Sequence, residues 1–184
     1  MRWMTLAHIH LDRVAAPWLI IRFVDPDAEF SYLEWGLDGR LPTAELAAQV
    51  PPGTTPVGIP GVTLGLHDGD GSCFSKVLRH HGLDEPALWR MERIIAAGVR
   101  HAFGKPPAPD ETDEETTLGT ALDELGTALG VCFDDADHLA NALGLYDAVY
   151  AHCQIRELSP DTIADAPFLP PLRTPFLRRA IRRS

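Results

Sequence analysis

The spacing of apolar residues changes character near residue 70: short runs and alternations come before it, and long stretches with three- and four-residue spacing come after it. Met1–Ile9 is apolar and rich in strand formers, which predicts a first strand, and Asp12 then offers a side-chain acceptor where a helix can begin. That helix is predicted over Asp12–Val24. Pro17 lies inside it, and a proline there removes a backbone donor and crowds the preceding turn, so the helix either starts near Ala16 or is kinked at Pro17. Asp25-Pro26 closes it, and Ala28–Trp35 alternates as a second strand. Pro42–Val50 predicts a helical turn or two. Pro51–Gly61 reads as a loop with an extended piece at Val57–Ile59, and Val62–Leu66 as a further strand ending at His67.

The second half predicts helices throughout. Cys73–His81 follows a Gly-Ser start and stops at Gly82, and a longer helix runs from Glu85-Pro86 to about Phe103 with Leu88, Met91, Ile95 and Val99 on one stripe. Lys105–Glu115, with its prolines and acids, predicts a mobile loop and the one plausible hinge. Thr116–Val131 and Ala136–Ile155 follow as two more helices. Strands first and helices later predict an α+β domain: a small N-terminal sheet with a kinked first helix, then a mainly helical C-terminal half. The domain is expected to span residues 1–155, with a Pro/Arg-rich tail over 156–184.

Composition narrows the function classes. With 45% hydrophobic and 23% charged residues, 184 residues suffice for a real core. The formal charge is −10, yet five of the 16 basic residues lie in 173–184 without an acid, which leaves 11 against 26 and −15 on residues 1–172. Such a body repels a phosphate backbone, so duplex nucleic acid is not an expected partner; the Arg-rich end is a candidate contact for RNA, an acidic protein partner or the body itself, with a solvated tail or a helix docked on its own domain as the plainer reading. Cysteines at 73, 132 and 153 form no C-x-x-C pair and no even framework. With no signal-like or membrane-length apolar run, a cytoplasmic location and no membrane association are expected.

Three stretches carry a resemblance. The run Asp12-Arg-Val-Ala-Ala-Pro-Trp-Leu-Ile-Ile-Arg-Phe-Val-Asp-Pro resembles the opening of the C-terminal domain of the bacterial chromate-resistance family ChrB. His67 followed by Cys73-Phe74 and a Gly-Leu-Asp-Glu-Pro-Ala-Leu link agrees with it, as does Tyr146-Asp147-Ala-Val-Tyr150. The resemblance implies a role around chromate, in a domain that commonly follows a regulatory portion or adjoins a rhodanese-like sulfur-transfer domain. The chain departs from the family at Ala16, where cysteine is frequent, and at Ile21, where a second arginine is frequent.

Chromate is a dianion, and an acidic body holds one only where positive charge or backbone donors converge. Arg13 and Arg22 are the candidates, because a guanidinium grips an oxyanion with paired donors; their other reading is pairing with Asp12, Asp25 or Asp147. Cys73, at a helix start, is the candidate reactive thiol, with a buried small hydrophobe as the alternative. Glu29 on a strand, His67 at a strand end and Asp147 on a small-residue strip with Ala136 and Ala140 are candidate ligands for a divalent metal ion such as zinc, manganese or iron. Asp147 equally suits a salt bridge to Arg13 or Arg22. His10 is placed to approach Asp12, and His138 to fill a core or interface position with Asp134 as partner. Two functions follow: a metal-binding domain, catalytic or not, acting on a small anionic substrate, or a non-catalytic oxyanion sensor or regulatory accessory protein.

Overall fold

A computed structural model describes residues 1–36 and 42–158, so the Arg-rich tail lies outside the described residues. Strand β1 (Arg2–Leu6) runs into helix α1 (Asp12–Leu19), which continues through a π-helical turn, Ile20–Val24, into strand β2 (Glu29–Leu33). A 3-10 turn (Ala44–Gln49) and a short strand β3 (Thr55–Pro56) follow. Helices α2 (Cys73–His80), α3 (Pro86–Ala102), α4 (Asp113–Cys132) and α5 (Asp135–Arg156) complete the chain. The α+β class stands as read from the sequence. All strand pairs are parallel, in the order β2-β1-β3, with Arg2 opposite Glu29 and Trp3 opposite Thr55.

Two local readings are corrected, and the first helix is settled between its two alternatives. Val62–Leu66 makes turns, not a strand; five residues without a neighbouring ladder cannot satisfy their backbone as an extended run. The first helix starts at Asp12 and accommodates Pro17 in its second turn. The helix then widens by one residue at its end, where the Asp25 N–H bonds the Ile20 carbonyl at 2.8 Å. Lys105–Glu115 is tied down: Arg93 bonds Glu115 and Asp110, Arg100 bonds Glu111, and the side chains of Glu111 and Glu115 are 3% and 6% exposed. Paired buried carboxylates make this loop a clasp rather than a hinge.

The caps follow the residue types. Ser72 accepts from the Ser75 N–H at 2.9 Å to open α2, Thr112 and Glu115 form a reciprocal capping box on α4, and Asp134 caps α5 through the Asp137 N–H. At the centre of the core, Trp18 is fully buried among Phe23, Phe74, Tyr146 and Tyr150, at ring separations of 5.4–6.5 Å within the cluster. Gly98 and Gly119 let α3 and α4 touch backbone to backbone: a Cβ at 119 would lie 2.5 Å from the Gly98 nitrogen.

Candidate functional site

The order β2-β1-β3 makes the chain leave β1 first to one side and later to the other, and parallel sheets open a crevice at such a switch point, outside the strand carboxyl ends. A cleft of about 490 Å³ lies there. It is lined by His10 from the β1–α1 connection, Asp12 and Arg13 at the start of α1, Trp35 after β2, Gly61 after β3, and His67 with Asp68. The connection that supplies His10 is strained: His8 and Leu11 both have positive φ, 57° and 43°, which costs non-glycine residues on the order of 1–3 kcal/mol each. It is held by Asp135, which accepts the N–H groups of His8 and Ile9 at 2.9 and 2.8 Å, and by the Tyr146 hydroxyl, which donates to the Leu11 carbonyl at 3.0 Å.

Arg13 is the cation of this cleft. Its guanidinium lies 5.9 Å from the Trp35 ring centroid, and its hydrogen bond from Nη1 to the Ala7 carbonyl is long at 3.4 Å. Trp35 is anchored by the same carbonyl through its indole N–H at 3.0 Å. No carboxylate of the described residues lies within ion-pair reach of Arg13, and burial pulls its pKa down from the usual value against the more distant Asp135 and Asp12. A half-buried guanidinium with no ion-pair partner among the described residues is a charge that an anion can satisfy.

The other candidates are elsewhere. Arg22 is spent on Asp147: Nε donates to Oδ1 at 2.9 Å and Nη2 to Oδ2 at 2.7 Å, while the Trp18 indole donates to Oδ1 at 2.8 Å. Of the two readings of Asp147, the structure builds the salt bridge. Its strip is also shorter than the helical wheel predicts, since Ala136 and Ala140 are exposed and only the later turns of α5 face α1. Glu29 is exposed at the amino edge of the sheet, one strand length from the cleft, roughly 13–17 Å away. His67 is exposed and lines the cleft, with desolvation the main cause lowering its pKa and the nearby Glu92 opposing it. Glu29, His67 and Asp147 therefore do not converge, and no group of three or more His, Cys, Asp or Glu among the described residues is placed to hold a metal ion. The residues present do not fit the expected divalent metal.

Cys73 is likewise corrected. Its residue is fully buried, its thiol donates to the Leu64 carbonyl at 3.4 Å, and burial first, then the Asp12 charge, push its pKa well above the ordinary thiol value. The helix end that was expected to activate it is already occupied. Asp12 accepts the Cys73 and Phe74 N–H groups at 2.6 and 2.9 Å, so this carboxylate caps α2 instead of starting α1. Burial raises the Asp12 pKa despite those bonds.

Sequence reasoning missed Asp123, which receives two histidines. His10 Nε2 lies 2.9 Å from Asp123 Oδ1, and His101 Nδ1 lies 2.6 Å from Oδ2. The signal was present: Glu115, Gly119, Leu122, Asp123 and Gly126 form one buried stripe of α4, and a carboxylate on it demands partners. His138 is buried as expected, but its Nε2 has no hydrogen-bond partner in the structure, and Asp134 meets only its backbone.

Fold and cleft together define a small α+β domain with a ligand-sized crevice at the carboxyl edge of a parallel sheet, and the comparisons with known proteins say which. The family model for the ChrB C-terminal domain matches residues 3–153, and the chain belongs to this chromate-resistance family. It is similar to Protein ChrB of Cupriavidus metallidurans, 33% identical over 155 residues that cover 82% of this chain and 40% of that relative. The chain thus spans well under half the length of the curated relative that it matches. No solved structure matches it. Among the described residues no helix is long and apolar enough to cross a membrane.

Proposed function

We propose that this domain binds a small tetrahedral oxyanion of the chromate type in the cleft at the sheet's carboxyl edge, as a non-catalytic sensing or regulatory module. One observation carries the reading: Arg13, half-buried beside Trp35, lines the cleft, and among the described residues no carboxylate lies within ion-pair distance of it, although Asp12 and Asp68 also border the cleft. Family membership supplies the oxyanion, and the geometry supplies the charge. His67 lines the same cleft and is exposed. Cys73, Arg22 and Asp147, which a catalytic reading would use, are committed to structural bonds. No step is routed through a metal ion, because the candidate ligands lie apart.

Equilibrium dialysis with chromate tests the proposal. Arg13→Ala is expected to weaken chromate binding at least about tenfold, since a charge-assisted contact is worth roughly 1.5–3 kcal/mol. Equal affinity of the wild type and R13A, with both folded, would overturn it. Sulfate as competitor reads how far the cleft separates one tetrahedral dianion from another.

A further inference from the structure

We infer that His10 is a second anion-gripping group of the same cleft, and that Asp123 is the positioning residue that aims it. The inference rests on the oxyanion reading above. His10 lines the cleft alongside Arg13. Its Nε2 is held by α4: Asp123 Oδ1 at 2.9 Å, the Asp123 carbonyl at 3.1 Å and the Thr127 hydroxyl at 3.3 Å. With Nε2 occupied in this way, Nδ1 is the ring nitrogen left for a ligand, and a proton there donates to an oxyanion.

The placement of this one imidazole is over-determined. The ring packs on α4 where residue 126 is glycine; a Cβ there would lie 3.0 Å from His10 Cδ2 and 3.4 Å from Nε2. The backbone around it is held with positive φ on both sides, at His8 and Leu11, by Asp135 and Tyr146 of α5. Strain that is retained and anchored from distant parts of the chain is a mark of functional placement. Asp123 has a further duty, since its other oxygen takes His101 of α3, so one carboxylate balances two imidazoles. The charged and titratable groups around His10 are Asp123 of α4, Asp134 and Asp135 at the start of α5 with His138 beyond them, Asp12 and Arg13 of α1, His67 and Asp68 along the cleft, and, across Asp123, His101 of α3. Glu34 and His8 border the adjoining pocket.

The arrangement is the familiar one in which a carboxylate fixes one nitrogen of an imidazole so that the other meets a ligand. Here the ligand is an anion, so the contact strengthens as His10 takes up a proton. Binding by Arg13 alone carries no such pH dependence.

Chromate dialysis over about pH 5.5–8.5 tests this. Affinities are expressed as the ratio of each variant to wild type at the same pH, which cancels the protonation of chromate itself. His10→Gln is expected to lose about tenfold near pH 6 and only about twofold near pH 8.5. Asp123→Asn is expected to follow His10→Gln, and Asp123→Glu to restore a large part of the affinity. Gly126→Ala, which displaces the ring without removing a charge, should reproduce the low-pH loss even if D123N folds poorly. If Arg13→Ala loses binding while H10Q, D123N and G126A keep wild-type affinity and pH profile, the inference fails and the oxyanion reading stands. If Arg13→Ala binds normally, both fail.

Discussion

Replacing Asp147 with Ala separates a structural carboxylate from a ligand-binding one. The carboxylate takes three donors, two from Arg22 and one from Trp18, and the side chains of Arg22 and Asp147 are 12% and 11% exposed. Truncation leaves a buried guanidinium without its counter-ion, which costs about 3–5 kcal/mol, and strands the indole N–H of a residue with no exposed surface. For a domain of this size each kcal/mol moves the thermal midpoint by about 2–4 °C, so D147A should melt about 6–20 °C lower. The companion measurement is a double-mutant cycle with Arg22→Met. If the loss comes from the orphaned charge, R22M/D147A is more stable than the two single losses predict when added, by a coupling of about 1–3 kcal/mol. The remaining deficit belongs to Trp18. Thermal denaturation followed by near-ultraviolet circular dichroism reads the aromatic cluster directly. A midpoint for D147A within about 2 °C of wild type, or additive single losses, would refute the argument.

Further consequences are open to simple assays. Arg93 is the main cause that depresses the Glu115 pKa, to about 2 from 4.5, so the stability it confers is complete above pH 4.5 and is lost as pH falls toward 2; Glu115→Gln should flatten the acid unfolding curve in that window, and an unchanged curve would contradict the clasp. Native protein should expose one fast-reacting thiol to an aromatic disulfide reagent, at Cys132, while Cys73 and Cys153 react only on unfolding; a Cys132→Ser protein that still reacts quickly would be inconsistent with that burial. Gly119→Ala should destabilise by about 1–3 kcal/mol or more in chemical denaturation, because its methyl group meets the Gly98 backbone rather than a side chain that can turn aside; a neutral result would refute the close helix crossing.

How much of this was legible in the sequence depends on whether the information is local. Helices α2, α3 and α5 were placed within a residue or two because their caps, Ser72, Pro86 and Asp134, act over three or four positions. The start of α4 was set three residues late because Thr112 with Glu115, a capping box, was absorbed into an apparently polar loop. The candidate site was readable in part: Arg13 and His67 reach the cleft, whereas Glu29, Arg22, Cys73 and Asp147 do not. The failures share a cause. Each of those residues was assigned by its own element, but its position depends on sheet direction and helix packing, which no spacing reveals. Parallel pairing puts Glu29 at the amino edge, and the π-helical turn brings Arg22 to α5.

The change of period near residue 70 invites a division of the chain into a sheet half and a helical half, yet the cleft belongs to both. Its lining comes largely from residues 10–67, while the groups that hold its strained connection come from α4 and α5: Asp123, Asp135 and Tyr146. A three-stranded sheet with a two-residue edge strand cannot bury enough surface to enforce positive φ at His8 and Leu11 by itself. The helices therefore act as the rigid frame, and the Gly98–Gly119 and Gly126–His10 approaches set how closely that frame fits. Asp12 completes the coupling in the other direction, since it leaves the sheet side to cap α2. On the proposed oxyanion reading, a ligand in the cleft would touch a connection whose conformation is balanced between intrinsic strain and helix-borne anchors. A change in either is transmitted to the other, which is the physical requirement for a sensing module.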